Sequence, residues 1–266
     1  MSQRRCAYFL LLAAVAASGC ASNAVRPPSP ATSLKVNDLL ATPAPPGERY
    51  YIVVFGSQST PKVPRYTHTW ASMVRTSNSS NQAGPSLDVA TISWMPASLE
   101  IHPARLTVEP GANLTLDHTI QEMLRQKEHI AMWGPYEVWH GNYRRFITQK
   151  QFLESGQIGY QCIDAIGEAA RTGNGCDCIH AITDMDPQFG RRTYSLGRFG
   201  QAASEFIVEQ ILTRPVVINA PQTHDWLIPA LGLDRYPISH RWYTGVAVPF
   251  SPDAVLQAST TSASRK

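Results

Sequence analysis

Apolar and polar positions divide the chain into a strand-rich first half and a helix-rich second half. Residues 50–55, Tyr-Tyr-Ile-Val-Val-Phe closed by Gly56, form a β-branched and aromatic run that predicts a buried strand. Residues 66–75 predict a second strand, whose alternation puts Tyr66, His68, Trp70, Ser72 and Val74 on one face. A third is expected over 89–95, stopped by Pro96, with a short one near 106–108. Leu116, Ile120, Met123 and Leu124 recur at helical spacing and predict a helix over 116–129. Asp117 near its start and Lys127 near its end suit the helix dipole. Strands are then expected over 130–133, 137–139 and 144–146. Short helices follow over 148–153, 163–170 and 178–185, a longer one over 202–212, and a last one over 226–231. Strands and helices without strict alternation imply an α+β fold with a largely antiparallel sheet.

The ends of the chain do not follow these patterns. Arg4 and Arg5 precede an apolar run that ends in Ala17-Ser18-Gly19-Cys20. That order of basic, apolar and small residues is the layout of a secretory signal, and the run is too short to span a bilayer. Its last four residues resemble a lipobox, with Ala17 where that motif prefers Leu. The resemblance implies a signal peptide over 1–19, a lipid on Cys20 and a membrane-anchored protein of the cell envelope. Residues 20–47 are rich in Ala, Pro, Ser and Asn and read as a disordered tether. Residues 251–266 read as a disordered tail, leaving a single domain over 48–250. The net charge of +3 comes without a basic run, so nucleic acid is not an expected partner.

Nucleophile-elbow, zincin, P-loop and dinucleotide-binding signatures are absent, and no cofactor is implied. The segment with chemical potential is Gly173-Asn174-Gly175-Cys176-Asp177-Cys178-Ile179-His180. The glycines and Asn174 predict a tight turn, and Asp177 is a good N-cap. Cys178 would then open a helix, where the dipole favours a thiolate and free N–H groups await an oxyanion. His68 on the second strand is the candidate base.

A histidine strand preceding a cysteine helix resembles the circularly permuted papain-like proteins, related to NlpC/P60 peptidases and lecithin:retinol acyltransferases. The resemblance rests on Tyr66-Thr67-His68-Thr69-Trp70 and on 174–182. It implies a Cys178–His68 pair acting on amide or ester bonds of envelope peptide or lipid. A polar residue from the next strand, Thr91 or Ser93, would orient the ring, with His102 as a fallback. Two other readings stay open. One is a non-enzymatic envelope lipoprotein that binds a partner or ligand. The other is a metal site built from Cys176, Cys178, His180 and Asp184, although Cys-x-Cys-x-His is not the usual zinc spacing. Otherwise His180 and Asp184 form a surface pair, and Thr223, His224 and Asp225 form a helix start. Cys6 leaves with the signal and Cys20 carries lipid, so the expected disulfide is Cys162 with Cys176, leaving Cys178 free.

Overall fold

The computed structural model describes residues 29–34, 43–77, 85–186, 198–214 and 216–248. The expected signal peptide, Cys20 and the tail lie outside them. The fold is α+β, as the hydrophobic pattern implies. Strands β1 (Glu48–Gln58), β2 (Thr67–Ser77) and β3 (Ser86–Ile92) form a sheet with β6 (His129–Val138) and β9 (Ile238–Arg241). The order is β3-β2-β1-β6-β9, antiparallel except at the β6–β9 edge. Two small pairs flank it: β4 (Trp94–Pro96) with β5 (Gly111–Asn113), and β7 (Gly159–Tyr160) with β8 (Gly175–Cys176).

Both faces of the central strands are covered, which is why residues 50–57 are all buried rather than alternating. One face places Ile52, Val54, Met73 and Trp133 against three helices: α3 (His140–Glu154), α5 (Cys178–Thr183) and α6 (Gln201–Leu212). The opposite face packs Val53, Phe55, Trp70 and Met132 against α2 (Leu116–Arg125), through Ile120 and Met123. Helices α4 (Gly167–Thr172) and α7 (Leu227–Ala230) complete the set, together with a short N-terminal α1 (Pro30–Ser33). Among the described residues no helix is long and apolar enough to cross a membrane.

Five expected features differ. The short strand expected near 106–108 is no strand; only Glu109 makes an isolated bridge, to Tyr160. Residues 130–133 and 137–139 are not two strands. β6 runs through Gly134, whose positive φ of 90° absorbs a register irregularity against β1. The strand expected over 144–146 lies inside α3. The buried side of α3 carries Asn142, Arg145 and Gln149 beside Phe146 and Leu153, so its stripe has helical spacing but mixed polarity. The expected strand over 89–95 breaks at Ser93, between β3 and β4. Finally, the tether over 20–47 is not uniformly loose. Residues 29–34 form a short helical segment seated on the domain, with Ala31 fully buried in the core.

Candidate functional site

The site begins where β2 and β3 part. β3 pairs with β2 only from Ala71 onward, through its partner Ile92, so Thr67, His68 and Thr69 have β1 on one side alone. His68 shares a face with Trp70, and the two rings stack with centroids 5.4 Å apart. Its Nε2 meets the Ser93 hydroxyl at 2.9 Å. Its Nδ1 is buried and has no hydrogen-bond partner among the described residues. Burial disfavours the imidazolium and lowers the ring's pKa to about 3, so His68 is neutral at physiological pH.

Ser93 is held firmly. Its N–H donates to Asn113 Oδ1 at 2.8 Å, and its carbonyl accepts from the Leu114 N–H at 3.1 Å. Asn113 is anchored in turn, donating to the Thr91 carbonyl at 2.8 Å and to Glu154 at 2.9 Å. Thr91, the other candidate orienter, joins its hydroxyl to Ser72 instead, at 2.9 Å. His102 lies on a surface loop beside Glu100. Ser93 is therefore the residue that meets the histidine, because the break between β3 and β4 turns its hydroxyl inward.

Cys178 opens α5 as the sequence suggests. Asp177 is the N-cap, and one carboxylate oxygen accepts the N–H groups of Ile179 at 2.9 Å and His180 at 2.7 Å. The Cys178 thiol lies against the backbone N–H of Thr69, the residue after His68. The expected thiolate is not favoured. Burial and the Asp177 carboxylate push the thiol well above its ordinary value, and the Thr69 N–H opposes them only in part. α5 has six residues, too short a helix for its dipole to outweigh a full negative charge at its cap.

The other cysteines depart from expectation. Among the described residues no disulfide joins Cys162 to Cys176, so the expected pairing is absent. β7 and β8 pair in parallel, with Tyr160 opposite Cys176. Cys162 lies two residues beyond the end of β7, and Cys178 opens the helix that follows β8. The Cys176 thiol donates to the Asp177 carbonyl at 3.3 Å, and Cys162 hydrogen-bonds the buried hydroxyl of Tyr160. Burial, followed by the Asp177 charge, raises Cys162 to about 12.

His180 and Asp184 do not form the expected surface pair. His180 is buried, with Nδ1 at 2.9 Å from Asp164 and 3.0 Å from Asp177. Burial opposes a charge on this ring, but the two carboxylates outweigh it and hold His180 well above its usual pKa. Among the described residues, the groups within metal-ligand reach of one another are thus Asp164, Asp177 and His180, not the Cys176, Cys178, His180 and Asp184 set. Each already serves in the hydrogen-bonded cap of α5, which accounts for the cluster without an ion. His224 is buried near Glu137, 3.7 Å away, and Arg49 holds the same carboxylate. The last helix starts at Leu227, after Trp226, without a side-chain cap. Thr223 bonds Asp225 instead.

Tyr160, Asp164 and Asn113 were not singled out from the sequence. Each acts through a partner distant along the chain, and no local spacing marks them. Among known proteins, no family model, curated protein or solved structure matches this chain.

Proposed function

We propose that this chain is a thiol hydrolase or acyltransferase of the cell envelope, anchored through lipid on Cys20 and acting on amide or ester carbonyls. The observation that carries the reading is the state of His68. Its ring is neutral and buried, fixed at Nε2 by Ser93 and unengaged at Nδ1, while the next residue's N–H touches the Cys178 thiol.

With the thiol protonated and the ring neutral there is no preformed ion pair, and a ring whose pKa is held at about 3 is a weak base, so activation of the thiol by His68 is the slow step this reading expects. His68 Nδ1 makes no hydrogen bond to the thiol in this structure, so the acylation proposed requires the ring to reach it; the Cys178 proton then passes to Nδ1 as the S–C bond forms, and the carbonyl π electrons move onto oxygen. The amides of Ile179 and His180 are occupied by Asp177, so the Cys178 N–H is the helix-end donor for that oxyanion. Collapse expels an amine or alcohol, which takes the proton from His68 and leaves a thioester. Water or an acceptor hydroxyl or amine then attacks the thioester as His68 takes its proton; the C–S bond breaks, the acid, ester or amide product leaves, and the Cys178 thiolate recovers the proton from His68.

The test uses p-nitrophenyl esters of short and long acyl chains, with mass spectrometry for the acyl-enzyme. The expected result is p-nitrophenol release with an acyl group on Cys178. Cys178→Ser should lose the adduct, His68→Asn should slow acylation by roughly 100-fold or more, and Ser93→Ala should slow it less. Turnover that survives Cys178→Ser would sink the proposal. One observation favours the second reading, a non-enzymatic envelope lipoprotein in which Cys178 is structural: burial and Asp177 hold its thiol protonated. That reading expects no adduct on any substrate.

A further inference from the structure

Residues 29–34 lie far from Cys178 along the chain, yet two side chains of α3 connect them to its helix. Gln149, 1 % exposed, accepts the Ser29 hydroxyl at Oε1 and donates through Nε2 to the Ala181 carbonyl at 3.0 Å. Ala181 lies in the middle of α5. Arg145, 3 % exposed, donates to the Leu34 carbonyl at 3.3 Å and pairs with Asp186 at 3.5 Å, just beyond the end of α5. Between the two clamps Ala31 is fully buried, and Ser29 caps the short helix by accepting the Ala31 N–H at 3.2 Å. Each clamp holds the N-terminal segment on one side and, on the other, the cysteine helix (Gln149) or the residues just after it (Arg145).

We propose that residues 29–34 are a docked strap, and that Gln149 and Arg145 are positioning residues through which the strap sets the place of Cys178. The proposal rests on the reading of Cys178 as the functional thiol. Buried polar side chains that bridge two elements stabilise both only while both partners are present. Losing one leaves the other unsatisfied. Undocking the strap therefore frees Gln149 and Arg145 and loosens both the middle and the far end of α5. Ser29 follows Cys20 by nine residues, so a pull on an N-terminal anchor would reach this strap first.

The test is made in the full chain. Ala31→Asp puts an unpaired carboxylate where no charge can be buried and should undock the strap, seen as fast hydrogen exchange over 29–34. Alkylation of Cys178 by iodoacetamide is then followed against pH, with the modified peptide counted by mass spectrometry. In the native protein the thiol should react slowly near neutral pH. Undocking should expose it, lower its pKa, and raise the alkylation rate near neutral pH roughly tenfold for each unit of the fall. Ala31→Ser, small enough to dock, should retain the native curve. A strap that exchanges freely while the native curve persists would overturn the proposal. Should Ala31→Asp fail to fold, Ser29→Ala and Gln149→Leu carry the test, and a native curve in both has the same force. Alkylation needs no substrate. Strap-dependent alkylation without acylation would refute catalysis alone, and acylation with strap-independent alkylation would refute the coupling alone.

Discussion

At the residue scale, Asp177 does two jobs that pull against each other. Its carboxylate caps α5 by accepting two backbone N–H groups, and its charge adds to burial in keeping the neighbouring thiol protonated. Asn caps helices about as well as Asp but carries no charge. Asp177→Asn should therefore keep α5 while lowering the Cys178 pKa, moving its alkylation curve to lower pH. A curve that does not move would mean that burial alone holds the thiol. The cap was legible in the sequence because a capping residue acts within three positions of itself. The direction of the thiol shift was not, because it depends on burial by the rest of the fold.

At the element scale, the decisive contact is the approach of α6 to β1. Gly56 sits opposite Thr69, the residue after His68, and a Cβ there would come within 2.9 Å of the Gln201 Cα. Ser204 of the same helix donates to the Phe55 carbonyl at 2.7 Å. Gly56→Ala should push α6 off the sheet at a cost of about 1–3 kcal/mol, measurable by chemical denaturation. A native midpoint would show that α6 can shift freely. The strands β1 and β2 and the helices α2, α5 and α6 could be read from apolar spacing, because each buries a continuous run or stripe. Helix α3 could not. Its buried stripe includes Asn142, Arg145 and Gln149, whose hydrogen-bond partners lie on other elements, so its pattern resembles an exposed surface.

At the scale of the whole molecule, burial on both sides of the sheet sets the dependence of stability on pH. Glu128 lies where α2 turns into β6, and burial raises its pKa from 4.5 to about 7. The sign follows from linkage. Below pH 4.5 the carboxyl is neutral in both folded and unfolded chains and costs nothing. As pH rises through 4.5 to about 7, the unfolded chain ionises first and stability falls. Glu128→Gln should leave stability unchanged in acid and raise it above neutrality by about 3 kcal/mol at most. Equal effects at both ends of the pH range would show that the side chain acts through packing and not through its charge.

The sequence by itself determined the α+β class, the principal strands, the capped start of the cysteine helix and the candidacy of His68 and Cys178. All of these rest on interactions between residues a few positions apart, which spacing and residue type encode. Only the tertiary structure decided that Ser93 rather than Thr91 meets His68 and that Cys162 and Cys176 are not joined. It also showed that residues 29–34 belong to the folded domain. Those outcomes depend on where β3 breaks, on the register of β7 against β8, and on which polar side chains of α3 find partners more than thirty residues away. Pairings at such distances are set by the packing of the whole chain.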